Sequence, residues 1–178
     1  EPGAYEKDAL HVLFIGNSYT YFNNLPEMFA KLAEAGHQKR IVYAMQAPGG
    51  LRLKDHWNRA ETRATLSTGK WDYVVLQDQS TLGTNYYFEG KPRIPSDELF
   101  HPYAIDFAKA IKEANAIPVF YLTWARKKVP EDQAALTAAY MRVTRETKSI
   151  VAPAGLAWAA IEQDDPDINL FYKDGSHP

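Results

Sequence analysis

The sequence predicts an α/β fold built around a parallel sheet. Four short apolar runs alternate along the chain with segments of helical periodicity, and a fifth, weaker run follows them. The first four runs are continuous rather than alternating in polarity, which is typical of strands that helices cover on both faces. Apolar runs that alternate with helices indicate successive βα units. We therefore predict a three-layer α/β/α sandwich around a five-stranded, mostly parallel sheet.

Each predicted element follows from a local pattern. The predicted strands are Leu10–Ile15, Arg40–Met45, Tyr73–Leu76, Ile117–Leu122 and Ser149–Ala152. The predicted helices are Leu25–Ala35, Leu53–Ser67, Phe100–Ala114, Glu131–Lys148 and the short Leu156–Glu162. Asn24 is the expected N-cap of the first helix, Pro26 lies in its first turn, and Gly36 is expected to end it. For a doubly wound sheet of this size we expect the flavodoxin-like strand order 2-1-3-4-5.

Composition narrows the class of protein. The 178 residues suit one domain, and a hydrophobic fraction of 46% with a charged fraction of 24% is ordinary for a globular chain. A net charge of -2 without a Lys/Arg run argues against nucleic acid as a partner. No apolar stretch is long enough to span a bilayer. The absence of cysteine excludes a thiol nucleophile and thiolate metal sites.

The first residues bear on localisation. The chain opens on Glu1-Pro2-Gly3-Ala4, without an initiator methionine or a signal peptide. This start favours a processed, secreted or periplasmic protein or a trimmed chain, while a cytoplasmic location stays open.

Two motifs supply the groups of a nucleophilic serine site. Ser18 follows the first predicted strand directly, at the sheet edge where doubly wound folds bind ligands. Asp174 and His177 lie three residues apart in one late loop, so the carboxylate can orient the imidazole and leave its other nitrogen for a serine. Each motif alone also suits a plain turn: Ser18 as a capping hydroxyl, and Asp174 as part of a solvated loop. Their combination favours a catalytic triad.

This pair of motifs resembles the SGNH (GDSL-like) hydrolase family over essentially the whole chain. The family's Gly-Asp-Ser block is matched by Gly16-Asn17-Ser18, and its Asp-x-x-His block, followed by Pro, by Asp174, His177 and Pro178. The serine is not set in the Gly-x-Ser-x-Gly elbow of the α/β-hydrolases, because Tyr19-Thr20 follows it. The family usually continues into a closing helix, so the resemblance implies a single domain over residues 1–178 that lacks this helix.

The resemblance also implies an oxyanion hole. Its donors would be the backbone N–H groups of Ser18 and Gly50, the latter favoured over Gly49, together with a side-chain amide after the third strand. We assign this amide to Gln79, although the family has asparagine there, and Gln77 is the rival.

The implied reaction is hydrolysis of a short-chain carboxylic ester through an acyl-enzyme, with carbohydrate O-acetyl groups as the leading substrate. No metal or organic cofactor is required. The expected partner is a small-molecule or carbohydrate ester. Two alternatives stay open at this stage: a non-catalytic carbohydrate-binding protein on the same fold, and a sugar O-acyltransferase.

Several aromatic residues are candidates for substrate contact. Tyr19 follows the nucleophile, Trp124 follows the fourth strand, and Tyr86 lies in the long connection 80–98. Aromatic faces suit sugar rings, although packing is an equally good explanation for these residues. His56 is interpreted as an exposed helical histidine, with an approach to the site near Gly50 as the alternative.

Overall fold

One parallel sheet forms the centre of the molecule. The computed structural model describes residues 8–82 and 95–178. The sheet has the order β2-β1-β3-β4-β5 with every pair parallel, which confirms the predicted fold class and strand order. The strands are β1 Leu10–Ile15, β2 Ile41–Gln46, β3 Tyr73–Leu76, β4 Ile117–Tyr121 and β5 Ile150–Ala152. The segments that follow the carboxyl ends of β1, β2, β3 and β4 therefore meet at one edge of the sheet.

Helices connect the strands. Those of the described residues are α1 Ser18–Tyr21, α2 Leu25–Ala35, α3 Leu53–Trp57, α4 Ala60–Thr68, α5 Ser96–Leu99, α6 His101–Glu113, α7 Gln133–Thr147 and α8 Ala154–Asp164. Short 3₁₀ turns, Phe22–Asn24 and Pro130–Asp132, precede α2 and α7. None of these helices is long and apolar enough to cross a membrane.

The main core lies on the sheet face that α3, α4, α6 and α7 cover. Helix α6 buries Ala104, Phe107, Ala108 and Ile111, which recur at the spacing of one helical face. They pack against fully buried strand residues such as Leu13 and Phe120. The opposite face carries α2 and α8, with an apolar groove of about 550 Å³ that Phe14, Phe29 and Tyr121 help to line.

One local prediction is wrong, and another is confirmed with an unexpected geometry. The segment predicted as one helix, Leu53–Ser67, is divided into α3 and α4, because the Asn58 side-chain amide donates to the Lys54 carbonyl (2.8 Å) and competes with the helical backbone. Asn24 is the N-cap residue of α2, as predicted, and it has left-handed dihedrals (φ 52°, ψ 52°). Its side chain donates to the Glu27 carboxylate instead of capping the helix.

Candidate active site

The candidate nucleophile Ser18 begins α1 directly after β1. It is half-buried, and within residues 8–82 and 95–178 neither its hydroxyl nor its backbone N–H has a hydrogen-bond partner. Gly16 allows the tight turn before it, because a Cβ there would lie 2.3 Å from Thr20 Oγ1 and 2.5 Å from Gln77 Oε1. Asn17 Oδ1 accepts a hydrogen bond from Tyr19 N (3.2 Å), which caps the first turn of α1. Both groups of Ser18 are therefore free to meet a substrate.

A buried amide pair fixes this turn. Gln77 Oε1 accepts from Asn17 N and from Thr20 Oγ1, each at 2.9 Å. Gln77 Nε2 donates to Asn17 Oδ1 (2.9 Å) and to the carbonyl oxygen of Asp78. Asn17 Nδ2 in turn donates to the Leu51 carbonyl at 2.9 Å. Because both hydrogens of the Gln77 amide are used inside the protein, Gln77 has no donor left for a substrate.

His56 belongs to the support of the same turn, and its interpretation as an exposed histidine is wrong. The ring is fully buried, with Nε2 2.7 Å from the Gly16 carbonyl and Nδ1 2.9 Å from Thr62 Oγ1. A carbonyl can only accept, so Nε2 carries the hydrogen and Nδ1 accepts from the Thr62 hydroxyl. Burial lowers the pKa of His56, and its hydrogen bond to Gly16 opposes that effect only in part.

The late loop brings Asp174 and His177 together. Asp174 Oδ1 accepts from the backbone N–H groups of Ser176 (2.8 Å) and His177 (3.0 Å), and Oδ2 lies 2.5 Å from His177 Nδ1. Burial acts to raise the pKa of Asp174, but the hydrogen bonds from the His177 ring and from the two N–H groups outweigh it and hold that pKa well below its usual range. His177 Nε2 is buried and has no hydrogen-bond partner among the described residues. This nitrogen is free to accept a proton.

Aromatic contacts hold the His177 ring against the helix that starts at Ser18. Its ring stacks on Phe22 at a centroid distance of 4.7 Å and meets Tyr19 edge-on at 5.2 Å. Phe22 lies one turn beyond Ser18 on the same side of α1, and its N–H donates to the Ser18 carbonyl. Asn23 Nδ2 also donates to the Pro178 carbonyl at 3.3 Å. The structure thus brings Ser18, Asp174 and His177 to one edge of the sheet.

Two of the predicted substrate contacts are buried. Trp124 is 3% exposed and Tyr19 is 5% exposed, and their rings stack on each other at 5.0 Å. Trp158 stacks on the other face of Trp124 at 4.1 Å, so no aromatic face of Trp124 remains for a sugar. The two rings that were predicted to bind substrate therefore lie beneath the site in this structure. Tyr86 lies outside the described residues.

The two further oxyanion candidates lie side by side. Gly50 is exposed, has φ 76°, and its N–H meets no acceptor in the described part of the chain. Gln79 Nε2 donates to the Gly50 carbonyl at 2.6 Å, which uses one of the two hydrogens of this amide. Among the described residues, the Gln79 amide therefore keeps one donor for a substrate, whereas that of Gln77 keeps none.

Sequence reasoning missed two residues beside the site. Phe22 provides the face on which His177 stacks, and Asp78 lies fully buried between the two glutamines. A signal existed for Asp78 in its position directly behind β3, in the same Gln77-Asp78-Gln79 run from which the amide donor was chosen. No pattern in the sequence indicated Phe22.

Comparison with known proteins finds solved structures with a similar fold. The sequence matches no protein-family model, and no curated protein matches it. Among solved structures it is similar to a protein from Slackia heliotrinireducens that is assigned to the SGNH hydrolases, with 26% identity and a TM-score of 0.75 over 96% of this chain and 90% of that one. A variant of Axe2, an acetyl-xylooligosaccharide esterase from Geobacillus, has 15% identity and a TM-score of 0.74 over 97% and 89% of the two chains. The acetyl xylan esterase AlAXEase has 17% identity and a TM-score of 0.68 over 94% and 91%.

These likenesses agree with the motifs on which the resemblance rested. The chain has the fold of these structures, which are described as an SGNH hydrolase and as two esterases that act on acetylated xylan or xylooligosaccharides.

Proposed function

We propose that this chain hydrolyses short acyl esters, acetyl groups on carbohydrates above all, through an acyl-enzyme on Ser18. The observation that carries the proposal is the state of His177. Its Nδ1 is held by Asp174 at 2.5 Å, while its Nε2, beside the helix that Ser18 begins, is buried and has no partner within residues 8–82 and 95–178. A neutral imidazole whose Nδ1–H is bound to a carboxylate has its lone pair on Nε2, as a general base requires.

The proposed chemistry takes two balanced steps. In the first, Ser18 Oγ attacks the ester carbonyl, His177 Nε2 takes the hydroxyl proton and then gives it to the departing alcohol. In the second, a water molecule gives a proton to His177 Nε2 and attacks the acyl-serine; the bond between the acyl carbon and Ser18 Oγ then breaks, and His177 returns the proton to Oγ as the acid leaves. Asp174 keeps its charge throughout and stabilises the imidazolium that forms in each step.

The oxyanion would be held by three donors: the backbone N–H groups of Ser18 and Gly50, and the free hydrogen of the Gln79 amide. The two backbone N–H groups have no acceptor among the described residues. The third donor belongs to Gln79 Nε2, whose other hydrogen is bonded to the Gly50 carbonyl at 2.6 Å. Such preorganised donors stabilise a developing charge most strongly because they need not reorient during the reaction.

Two observations support a short acyl group. The apolar groove of about 550 Å³ runs along the sheet face, and its lining includes none of the five proposed triad and oxyanion residues, so it offers no tunnel for a fatty tail. The similar structures include proteins described as acetyl-xylooligosaccharide and acetyl xylan esterases. With Tyr19 and Trp124 buried, the described part of the chain offers Tyr21 and Tyr172 as exposed rings beside the site, and we propose these as faces that meet a sugar.

The alternatives receive no comparable support. A non-catalytic carbohydrate-binding protein rested on the unusual third block, yet Gln79 lies beside Gly50 with a donor to spare. The similar structures are described as hydrolases or esterases, which favours water over a sugar as the acyl acceptor.

A substrate series tests the proposal. p-Nitrophenyl esters of increasing acyl length would be assayed beside acetylated xylan and other acetylated glycans, with free acetate as the readout. We expect the highest kcat/KM for acetyl esters and release of acetate from at least one glycan. A preference for acyl chains of about eight carbons or more, as a lipase-like pocket gives, with no acetate released from glycans, contradicts the proposal.

A further inference from the structure

We infer that Asp78 is a positioning residue whose carboxylate sets the spacing of two oxyanion donors, Gly50 N–H and the Gln79 amide. The inference rests on the proposed function of the site. Asp78 is fully buried, so its carboxylate acts on the reaction through the segments that it binds.

The geometry ties three segments together. Asp78 Oδ2 accepts from the N–H of Leu53 at 2.8 Å, and Oδ1 accepts from the N–H of Gln79 at 2.6 Å. Leu53 begins α3 three residues after Gly50, so the first bond anchors the end of the Gly50 turn. The hydrogen bond from Gln79 Nε2 to the Gly50 carbonyl (2.6 Å) joins the two segments to each other. One carboxylate therefore holds both donor segments from below.

No ion pair accounts for this carboxylate among the described residues. The charge of Arg52 acts on Asp78, but its guanidinium is bound to Asp55 through Nε (3.0 Å) and Nη2 (3.2 Å). From α7, Tyr140 contributes only its hydroxyl, which accepts from the Asp78 backbone N–H at 2.9 Å. A buried charge with no partner of opposite sign is costly. The bonds that Asp78 does make go to the two donor segments.

The same arrangement makes the donors sensitive to pH. Burial raises the pKa of Asp78 to about 6, although the N–H groups of Gln79 and Leu53 and the charge of Arg52 oppose it. Asp55 acts in the same direction as burial. A protonated carboxyl has a hydroxyl in place of one acceptor, so either Leu53 or Gln79 then loses a strong bond. The donors would then shift as the solution turns mildly acidic.

The test compares Asp78→Asn with a matched control, Asp72→Asn. Asp72 lies before β3 as Asp78 lies after it, and its Oδ2 likewise accepts a backbone N–H, that of His11 at 2.7 Å. At about pH 8, where Asp78 is ionised, we expect Asp78→Asn to lower kcat for p-nitrophenyl acetate about 10- to 100-fold with KM changed less than about threefold. Asp72→Asn should keep kcat within about twofold of the parent.

Two results overturn the inference: kcat of Asp78→Asn within about twofold of the parent, or equal losses of kcat in both variants. The acid limb of kcat/KM should also be less steep in Asp78→Asn, because one titrating group has been removed. Loss of activity in Ser18→Ala beside normal activity in Asp78→Asn refutes the role of Asp78 alone, whereas full activity in Ser18→Ala refutes the proposed function.

Amide resonances of the unmodified protein give a test that does not depend on the variant folding. The backbone amide signals of Leu53, Gln79 and Gly50 should move together with one midpoint near the pKa of about 6. If the Gly50 signal stays fixed while those of Leu53 and Gln79 titrate, Asp78 does not set its position.

Discussion

The indole Nε1 of Trp124 donates a hydrogen bond of 2.8 Å to the carbonyl oxygen of Ser176, the residue before His177. Trp124 itself is fixed between the rings of Tyr19 and Trp158. The backbone of the same segment makes a second tie, because Lys127 N donates to the Gly175 carbonyl at 2.9 Å. The segment after β4 thus holds the loop that carries the proposed base.

Trp124→Phe should reduce kcat while leaving most of the aromatic stack in place. Loss of one neutral hydrogen bond of about 1 kcal/mol corresponds to about a fivefold fall in kcat if the bond serves to place His177. Steady-state kinetics on p-nitrophenyl acetate provide the measurement. Trp158→Phe is the matched control, because Trp158 Nε1 has no hydrogen-bond partner among the described residues. Equal kinetic losses in the two variants would show that packing alone matters.

Gln79→Ala should mainly lower kcat, whereas Gln77→Ala should lower the stability of the fold. Gln79→Ala removes a proposed oxyanion donor and should lower kcat by roughly 10²–10³ with little change in melting temperature. Gln77→Ala removes a fully buried amide that makes four hydrogen bonds, so it should lower the melting temperature. Thermal melts beside kinetics separate the two effects. A near-normal rate in Gln79→Ala would remove Gln79 from the oxyanion hole.

Asn17→Asp, which restores the family's Gly-Asp-Ser block, should destabilise this chain. The Asn17 side chain is buried, and its Nδ2 donates to the Leu51 carbonyl at 2.9 Å. A carboxylate there would place an oxygen with no hydrogen against the Leu51 carbonyl oxygen. We expect this to lower the free energy of unfolding by about 1–3 kcal/mol at neutral pH. Urea unfolding at several pH values is the measurement, and protonation of the new carboxyl should recover part of the loss. Equal stability of both proteins at neutral pH is the contrary result.

The pKa of Asp78 predicts how stability depends on pH. Its value of about 6 in the folded protein exceeds the ordinary 3.8 of the unfolded chain, so the folded state binds this proton more tightly. The contribution of Asp78 to the free energy of unfolding therefore falls as pH rises from about 4 to about 6, by about 3 kcal/mol in all. The pKa of Asp174 is lowered in the folded protein, so its contribution to the free energy of unfolding rises with pH, and it does so below this window.

Chemical denaturation across this pH window checks the prediction. The parent protein should lose stability relative to Asp78→Asn as pH rises through the window, and the difference should level off above it. A difference that does not change with pH would show that the pKa of Asp78 is not raised in the folded protein.

The buried strands could be predicted from the sequence, because parallel strands that are covered on both faces give continuous apolar runs. β1 and β3 were predicted with their observed bounds, and each of the other three differs by a residue at one or both ends. The strand order was predicted correctly as well. Helix boundaries were less accurate where a side chain competes with the backbone, as Asn58 does between α3 and α4.

The direction in which the side chains around the site point could not be predicted from the sequence. Trp124 follows a strand at the correct edge of the sheet, yet its ring turns beneath the loop of His177 instead of toward solvent. His56 turns inward because the Gly16 carbonyl and the Thr62 hydroxyl satisfy its two nitrogens. Both outcomes depend on partners more than four residues away along the chain, which local periodicity does not report.

The central claim is that Ser18 is the nucleophile, and covalent labelling tests it most directly. The protein would be treated with a serine-directed organophosphonate, digested, and analysed by mass spectrometry, with Ser18→Ala in parallel. We expect one phosphonyl group per chain, on the peptide that contains Ser18, with loss of esterase activity in proportion to labelling. Ser18→Ala should neither be labelled nor hydrolyse p-nitrophenyl acetate, and its melting temperature should be unchanged. Labelling at another residue, or esterase activity that persists in a folded Ser18→Ala variant, would contradict the account.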